Sequence, residues 1–176
     1  MTRRIAFLRA VNLGKRIVSM ARLKAVLEKL GYGDVWTFVN SGNAVFDATG
    51  ARAKLERDIE GALASEFGFD VETFVRTAAE LRTIVAQRPF PLIDGDTHFV
   101  TFLRAAPDAK AAKALVALSN RYDTLVVEGR DVHWRMRGKS SDSPLKKKDW
   151  DKILGPNSST SRNMNMLTRL VAKIDG

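Results

Sequence analysis

The chain has 176 residues, of which 45% are hydrophobic, and its 29 lysines and arginines exceed its 20 acidic residues to give a net charge of +9. It contains no cysteine, which excludes disulfides, thiolate metal sites and thiol nucleophiles, and with only two histidines we expect no zinc site and no cofactor. No apolar run approaches the ~20 residues of a membrane span, so we expect a cytoplasmic protein with no membrane partner, whose charged partners are anionic.

The first half of the chain predicts an alternation of strands and helices. A nearly continuous apolar run over 5–11 is typical of a central strand buried on both faces. Ser19 precedes a helical stripe of apolar residues, so it is the expected N-cap of the first helix. In order, the predicted elements are a strand over 5–11, a helix with its stripe over 20–30, strands over 34–39 and 44–46, a helix with its stripe over 55–63, and a strand over 71–75.

A connecting segment follows this first set of elements. Thr77 and Glu80 have the spacing of a capping box, which predicts a short helix that two nearby prolines end. The segment 88–97, which contains both prolines and an Asp-Gly-Asp sequence, is the best candidate for a linker. We therefore divide the chain into residues 1–90 and residues 91–176.

The second half of the chain repeats the order of elements up to its last strand. The polar segment 158–163 is interpreted as the N-terminal cap of the final helix, so no closing strand is predicted. The pattern predicts an α+β fold of two ferredoxin-like (split βαβ) units in tandem, the second lacking its last strand and ending in a helix. Its predicted elements are a strand over 98–104, a helix over 107–118, strands over 124–128 and 131–137, a short helix over 145–154, and a C-terminal helix.

Polar and basic residues in the first half form the leading candidate site. In a split βαβ sheet the first two strands are parallel, so the loop after the first and the hairpin after the second open at one edge. This places Asn12 and Lys15 near Ser41 and Asn43, where amides, a hydroxyl and a cation can bind phosphate or carboxylate oxygens. The alternative is that these residues serve only as turn formers.

Arg162 is a second candidate because of its predicted position. It lies at the expected start of the last helix, where a cation opposes the helix macrodipole. Its position therefore indicates either a bound anion or a salt bridge with an acidic residue of the protein.

A third candidate is the alternating strand over 132–137. One face of this strand carries His133, Arg135 and Arg137, and a lysine run follows at Lys146, Lys147 and Lys148. Such a surface could follow a nucleic-acid backbone, although a solvated outer face explains the same pattern. His133 is a candidate acid or base, but the sequence identifies no partner for it.

Three segments of the chain resemble a known family. Leu8–Gly14 is similar to the opening "LRGINVGG" motif of the bacterial domain of unknown function 1697 family, Val39–Phe46 is similar to its "QSGNVVF" segment, and Ser161–Asn163 is similar to its "TRNW" segment. The resemblance implies an α+β protein of two ferredoxin-like parts with no established activity. The chain departs from these motifs at Ala10, Lys15, Asn40 and Met164.

The motifs coincide with the loop, the hairpin and the helix start singled out above, which favours a binding role for their polar residues. We therefore expect an anionic or phosphate-bearing small ligand at the sheet edge of the first unit, with a nucleic-acid-binding second unit as the alternative. No catalytic motif is recognised, and a homodimer through an exposed sheet edge stays open. The expected ligand-binding residues are Arg9, Asn12, Lys15, Ser41, Asn43, Arg162 and Asn163, and those of the nucleic-acid alternative are Arg135, Arg137, Lys146, Lys147 and Lys148.

Overall fold

The computed structural model describes residues 1–176 and divides into a first unit, Met1–Thr83, and a second unit, Ile84–Gly176. Each unit contains one four-stranded antiparallel sheet with helices, and the chain has six α-helices in total. The two units are similar and follow each other in tandem, which confirms the predicted α+β class. None of the helices is both long and apolar enough to span a bilayer.

The first unit follows the predicted order of elements. β1 is an interior strand of the sheet order β2-β3-β1-β4, and its residues Ile5 to Leu8 are fully buried, as the apolar run predicted. Ser19 caps the first helix by accepting a hydrogen bond from the Arg22 backbone N–H at 3.0 Å. The elements are β1 Thr2–Leu8, α1 Met20–Lys29, β2 Gly33–Thr37, β3 Asn43–Ala48, α2 Arg52–Phe67, β4 Thr73–Thr77 and α3 Ala78–Ala86.

The core of the first unit lies between the sheet and helices α1 and α2. Leu23 and Leu27 of α1 and Ile59 of α2 are fully buried against alternate residues of the strands, such as Ala6 and Phe46. Each such aliphatic side chain contributes about 1.5 to 3 kcal/mol when it leaves water. Burial of one helix stripe each therefore holds both helices on one face of the sheet.

The outer edge of β4 is occupied by carboxylates. β4 is an edge strand, so every second backbone N–H points away from the sheet and lacks a strand partner. Three consecutive outward N–H groups donate instead to glutamate side chains of the neighbouring helices. The pairs are Thr73 with Glu60 at 2.9 Å, Val75 with Glu56 at 3.0 Å, and Thr77 with Glu80 at 2.7 Å.

The second unit repeats this order of elements, with the strand order β6-β7-β5-β8. The sequence predicted all of its helices and three of its four strands. α4 begins at Ala109, two residues later than predicted, and Asp108 caps it because its side chain accepts from the Ala111 N–H at 2.7 Å. The elements are β5 Thr97–Leu103, α4 Ala109–Val116, β6 Asp123–Glu128, β7 Asp131–Met136, α5 Lys147–Leu154, β8 Ser159–Asn163 and α6 Met164–Asp175.

The predicted absence of a final strand in the second unit is wrong. Ser159–Asn163 forms β8, which pairs antiparallel with β5 from Phe99 opposite Asn163 to Leu103 opposite Ser159. The segment has no apolar alternation, so its strand state comes from pairing with β5 and not from local pattern. The Thr101 and Ser161 hydroxyls, 2.7 Å apart, add a cross-strand hydrogen bond.

A buried carboxylate organises the core of the second unit. The Asp123 side chain is fully buried, and its Oδ1 accepts hydrogen bonds from Trp134 Nε1 at 2.7 Å and Ser143 Oγ at 2.8 Å. Its other oxygen accepts from Asn120 Nδ2 at 2.9 Å. The Trp134 ring packs 5.4 Å from that of Trp150, so this network fixes a tryptophan at the centre of the core.

Candidate functional site

The structure brings the loop after β1 and the hairpin after β2 together, as predicted. We call residues 9–18 and 38–43 the loop edge. Asn12 Nδ2 donates to the Asn40 carbonyl at 2.6 Å, and the Leu8 N–H donates to the Gly42 carbonyl at 2.8 Å. The two segments therefore form one continuous surface of the first unit.

Backbone strain is concentrated at the loop edge. Ala10, Asn12 and Val39 have φ of 52°, 58° and 52°, in the left-handed region that side chains with a Cβ rarely adopt. Val39 is the most unusual of the three because its β-branched side chain is strongly disfavoured there. Gly42 has a φ of 85°, and a Cβ at this position would lie 2.7 Å from Val11 Cγ2. Such clustering of unfavourable backbone conformations is typical of functional sites.

The two predicted asparagines, Asn12 and Asn43, stabilise the loop edge through hydrogen bonds to its own backbone and side chains. Asn12 uses its whole side-chain amide, since Oδ1 also accepts from the Val18 N–H at 2.9 Å. Asn43 is fully buried and donates to the Phe38 carbonyl at 2.8 Å and to Ser41 Oγ at 2.9 Å. These bonds fit the turn-forming interpretation, and direct contact of these amides with a ligand stays a prediction.

The cations of the loop edge have different environments. Lys15 is exposed at the tip of the turn and makes no hydrogen bond or ion pair. Arg16 donates to the backbone carbonyls of Ala10 at 2.8 Å and Asp70 at 2.7 Å. Arg9 is half-buried and already has interaction partners within the protein. Lys15 is therefore the charged group of the loop edge most available to an anion.

Arg162 and Asn163 lie in the second unit, in β8 and not in the first turn of a helix. Because Arg162 is a strand residue, the macrodipole argument for an anion beside it is wrong. Its guanidinium is buried, which lowers its pKa to about 10, and donates to Thr160 Oγ1 at 2.9 Å. Asn163 caps α6 by accepting from the Asn165 N–H at 2.8 Å. That either residue also contacts the ligand stays a prediction.

The basic strand β7 is not the solvated outer face that its alternation suggested. His133 is fully buried and Arg135 is 7% exposed. Arg137 is more accessible, but its guanidinium pairs with Asp96 at 2.8 Å. Of the residues proposed for nucleic acid, the exposed ones at 146–148 lie before and within α5, where Lys147 pairs with Asp151.

The burial of β7 shows a histidine pair that the sequence did not reveal. His133 Nε2 lies 2.7 Å from Gln87 Oε1, and His133 Nδ1 lies 2.9 Å from His98 Nε2. Because the amide oxygen only accepts, neutral His133 carries its proton on Nε2 and accepts from His98 through Nδ1. Burial lowers the pKa of both imidazoles to about 4, with smaller contributions from His133 for His98 and from the positive charge of Arg88 for both. Both histidines are therefore neutral at physiological pH.

The contact between the two histidines could have been predicted only from the register in which β5 and β7 pair. His98 and His133 lie 35 positions apart in the sequence, on β5 and β7. The antiparallel pairing puts His98 opposite Arg135 and His133 opposite Val100, on one face of the sheet. The alternation of each strand indicates a polar face, but it does not specify which residues of the two strands are neighbours.

The fold and the loop edge define an α+β protein of two tandem four-stranded units with a strained, basic surface on the first. The chain belongs to the family described as "Protein of unknown function (DUF1697)", whose model matches residues 1–133. It is also similar in fold to the conserved bacterial protein SP0830 from Streptococcus pneumoniae, with 20% sequence identity and a TM-score of 0.78 over 100% of this chain and 99% of that one. No curated protein matches the sequence.

Proposed function

We propose that the protein binds an anionic or phosphate-bearing small ligand at the loop edge of the first unit. The observation that carries the proposal is Lys15, an unpaired cation at the tip of a turn whose backbone is held in strained conformations. No acidic residue precedes Glu28 in the chain, so the loop after β1 contributes only positive charge. An anion there gains charge-assisted hydrogen bonds without displacing an existing ion pair.

Rigidity of the loop edge also supports binding. The backbone N–H of Asn12 donates to the Arg16 carbonyl at 2.6 Å, and the Arg16 N–H donates to the Leu13 carbonyl at 3.1 Å. A turn held in this way loses little conformational entropy when a ligand arrives. Gly14 has a φ of 57°, and left-handed residues of this kind can form turns whose free backbone N–H groups bind an anion.

A thermal-shift screen of inorganic phosphate, nucleotides and phosphorylated metabolites tests the proposal. A ligand that binds only the folded state raises the melting temperature. We expect Lys15→Ala to abolish the shift and Lys110→Ala, which removes an exposed lysine of the second unit, to retain it. An equal shift in both variants would show that binding is not at the loop edge.

The second candidate function is nucleic-acid binding through the exposed lysines Lys146 and Lys148 of the second unit. Burial of Arg135 leaves this surface smaller than the sequence indicated. Affinity for an oligonucleotide that falls steeply with salt, and that Lys146→Ala and Lys148→Ala weaken, would favour it over the loop edge.

We further propose that both units are ferredoxin-like, that the protein is cytoplasmic, and that any homodimer forms through a free sheet edge. The order βαββαβ and the matching strand orders of the two sheets support the first of these. The carboxylates along β4 favour the other edge strands for a dimer contact.

A further inference from the structure

The loop edge exposes large aliphatic side chains beside its free cation. Leu13 is 64% exposed, Ile17 is 60% exposed and Val39 is 42% exposed. Leu13 and Ile17 flank Lys15 in the turn 12–17, and the hydrogen bond from Asn12 Nδ2 to the Asn40 carbonyl brings Val39 to the same surface. Three of the seven large hydrophobic residues exposed in the chain therefore lie in the loop edge, which also carries Lys15.

These side chains are presented by the turn and do not fold back onto the core. The turn is closed by its own backbone hydrogen bonds. Arg16 also donates hydrogen bonds to the Ala10 and Asp70 carbonyls, and its guanidinium lies 4.7 Å from the Phe69 ring centroid. Exposed apolar side chains that adjoin one another on the surface are typical of contact surfaces.

A bare inorganic anion would use only part of this surface. Lys15 and the backbone N–H groups are sufficient for a phosphate or a carboxylate, whereas Leu13, Ile17 and Val39 contribute only if the ligand also carries apolar atoms. Binding sites for small molecules ordinarily combine apolar contacts with a few polar groups that fix orientation. The composition of the loop edge matches that combination.

We infer that the ligand of the loop edge is an amphiphilic anion, a phosphate or carboxylate joined to an aliphatic chain. The inference rests on the proposed anion site and specifies its ligand class. The charged group binds at Lys15, and the chain lies against Leu13, Ile17 and Val39. Such a ligand can be a free alkyl or acyl phosphate or the headgroup region of an anionic lipid, and the two sources share this chemistry.

Calorimetric titration with inorganic phosphate, ethyl phosphate, butyl phosphate and hexyl phosphate tests the inference. We expect affinity to rise with chain length by about fourfold for each methylene group that becomes buried. A double variant, Leu13→Ser with Ile17→Ser, should remove most of this dependence and keep the affinity for inorganic phosphate. Val116→Ser is the matched control, because Val116 is 46% exposed in the second unit, and it should behave like the wild type.

The results separate the inference from the proposed function. If affinity does not change with chain length, or if the double variant keeps the full dependence on chain length, the amphiphilic ligand class is wrong. Loss of phosphate binding in Lys15→Ala would still support the anion site in that case. If the wild type binds none of these anions, the proposed function and the inference both fail.

A vesicle assay distinguishes the two sources of the ligand. If the wild type sediments with phosphatidylglycerol vesicles and the double variant does not, the surface binds anionic lipid. Binding of hexyl phosphate without any vesicle binding would assign it to a free amphiphile. Equal sedimentation of the wild type and the double variant would contradict the lipid assignment.

Discussion

The two sheets share a strand order and differ in the face opposite α1 and α2 in the first unit and opposite α4 and α5 in the second. In the first unit this face is mainly apolar, with Phe7 fully buried and Arg76 as its buried cation. In the second unit the equivalent face carries His133, Arg135 and Arg162, which are also buried. The same strand order therefore accommodates an apolar face in one sheet and a basic face in the other. Strand order depends on hydrogen bonding between the backbones of the strands and not on the side chains of this face.

The largest effect that we expect is loss of the Asp123 carboxylate in the second unit. Asp123→Ala leaves the Trp134 N–H and Ser143 hydroxyl without their acceptor in the core, which should lower the free energy of unfolding by about 4 kcal/mol. Urea unfolding followed by tryptophan fluorescence measures this loss. Asp94→Ala, at an exposed position, is the control and should stay near the wild type. A similar small effect for both variants would contradict a central role of this network.

The buried histidines give the second unit a pH dependence that the first unit, which has no histidine, cannot share. The unfolded imidazoles titrate near pH 6.5 and the folded ones near pH 4, so between these values the unfolded state binds more protons. Stability should therefore fall as the pH drops through this window.

Replacing both histidines tests this dependence. The double variant His98→Gln with His133→Gln should unfold with a flatter pH profile between pH 6.5 and pH 4, measured by denaturant titration at each pH. Carboxylates that titrate in the lower part of the window act equally on both proteins. Identical profiles would show that the imidazoles do not titrate differently in the folded and unfolded states.

In the first unit, backbone conformation at the loop edge should matter more than titration. Gly42→Ala combines a φ of 85° with contacts of 2.7 and 2.9 Å to Val11 and Leu8, and we expect it to destabilise the protein by about 2 kcal/mol. Gly61→Ala is the matched control, because it lies inside α2 with open space around it and should stabilise the protein by about 1 kcal/mol. Thermal denaturation of both variants measures this difference in stability. Equal changes in stability for the two variants would contradict the role of backbone conformation at Gly42.

The smallest effect concerns one tyrosine hydroxyl in each unit. The Tyr32 hydroxyl is buried without a hydrogen-bond partner, and its ring stacks 4.8 Å from Phe46, so Tyr32→Phe should be neutral or stabilising by up to about 1 kcal/mol. The Tyr122 hydroxyl donates to the Lys139 carbonyl at 2.6 Å, and Tyr122→Phe should cost about 1 kcal/mol. Urea titration should separate the two variants, and the opposite order would refute this account of the hydroxyls.

Local signals in the sequence were sufficient for most of the elements. The Ser19 cap and the capping box of Thr77 and Glu80 form as predicted, because each depends on residues within one helical turn. β8 was missed because its state depends on pairing with β5, more than 50 positions earlier. The His98 and His133 pair was missed for the same reason, since its formation requires the register of two strands.

The sequence predicted where the candidate site lies in the fold, but it did not predict which contacts its side chains make. Topology alone brought the loop after β1 to the hairpin after β2, which is why Asn12 and Asn40 lie together. The sequence did not show that Asn12 and Asn43 would use their amides on the protein itself, or that Arg135 would be buried. Those outcomes depend on side-chain packing, which the spacing of residues along the chain does not specify.

The glutamates along β4 also affect how the first unit opens. An outer strand normally frays early, because half of its amide protons face water. Here the Thr73, Val75 and Thr77 protons become accessible only when the helices carrying their acceptors move away. Hydrogen exchange at these three positions should therefore be as slow as that of an interior strand, and β4 should unfold together with the two helices that carry the glutamates, α2 and α3.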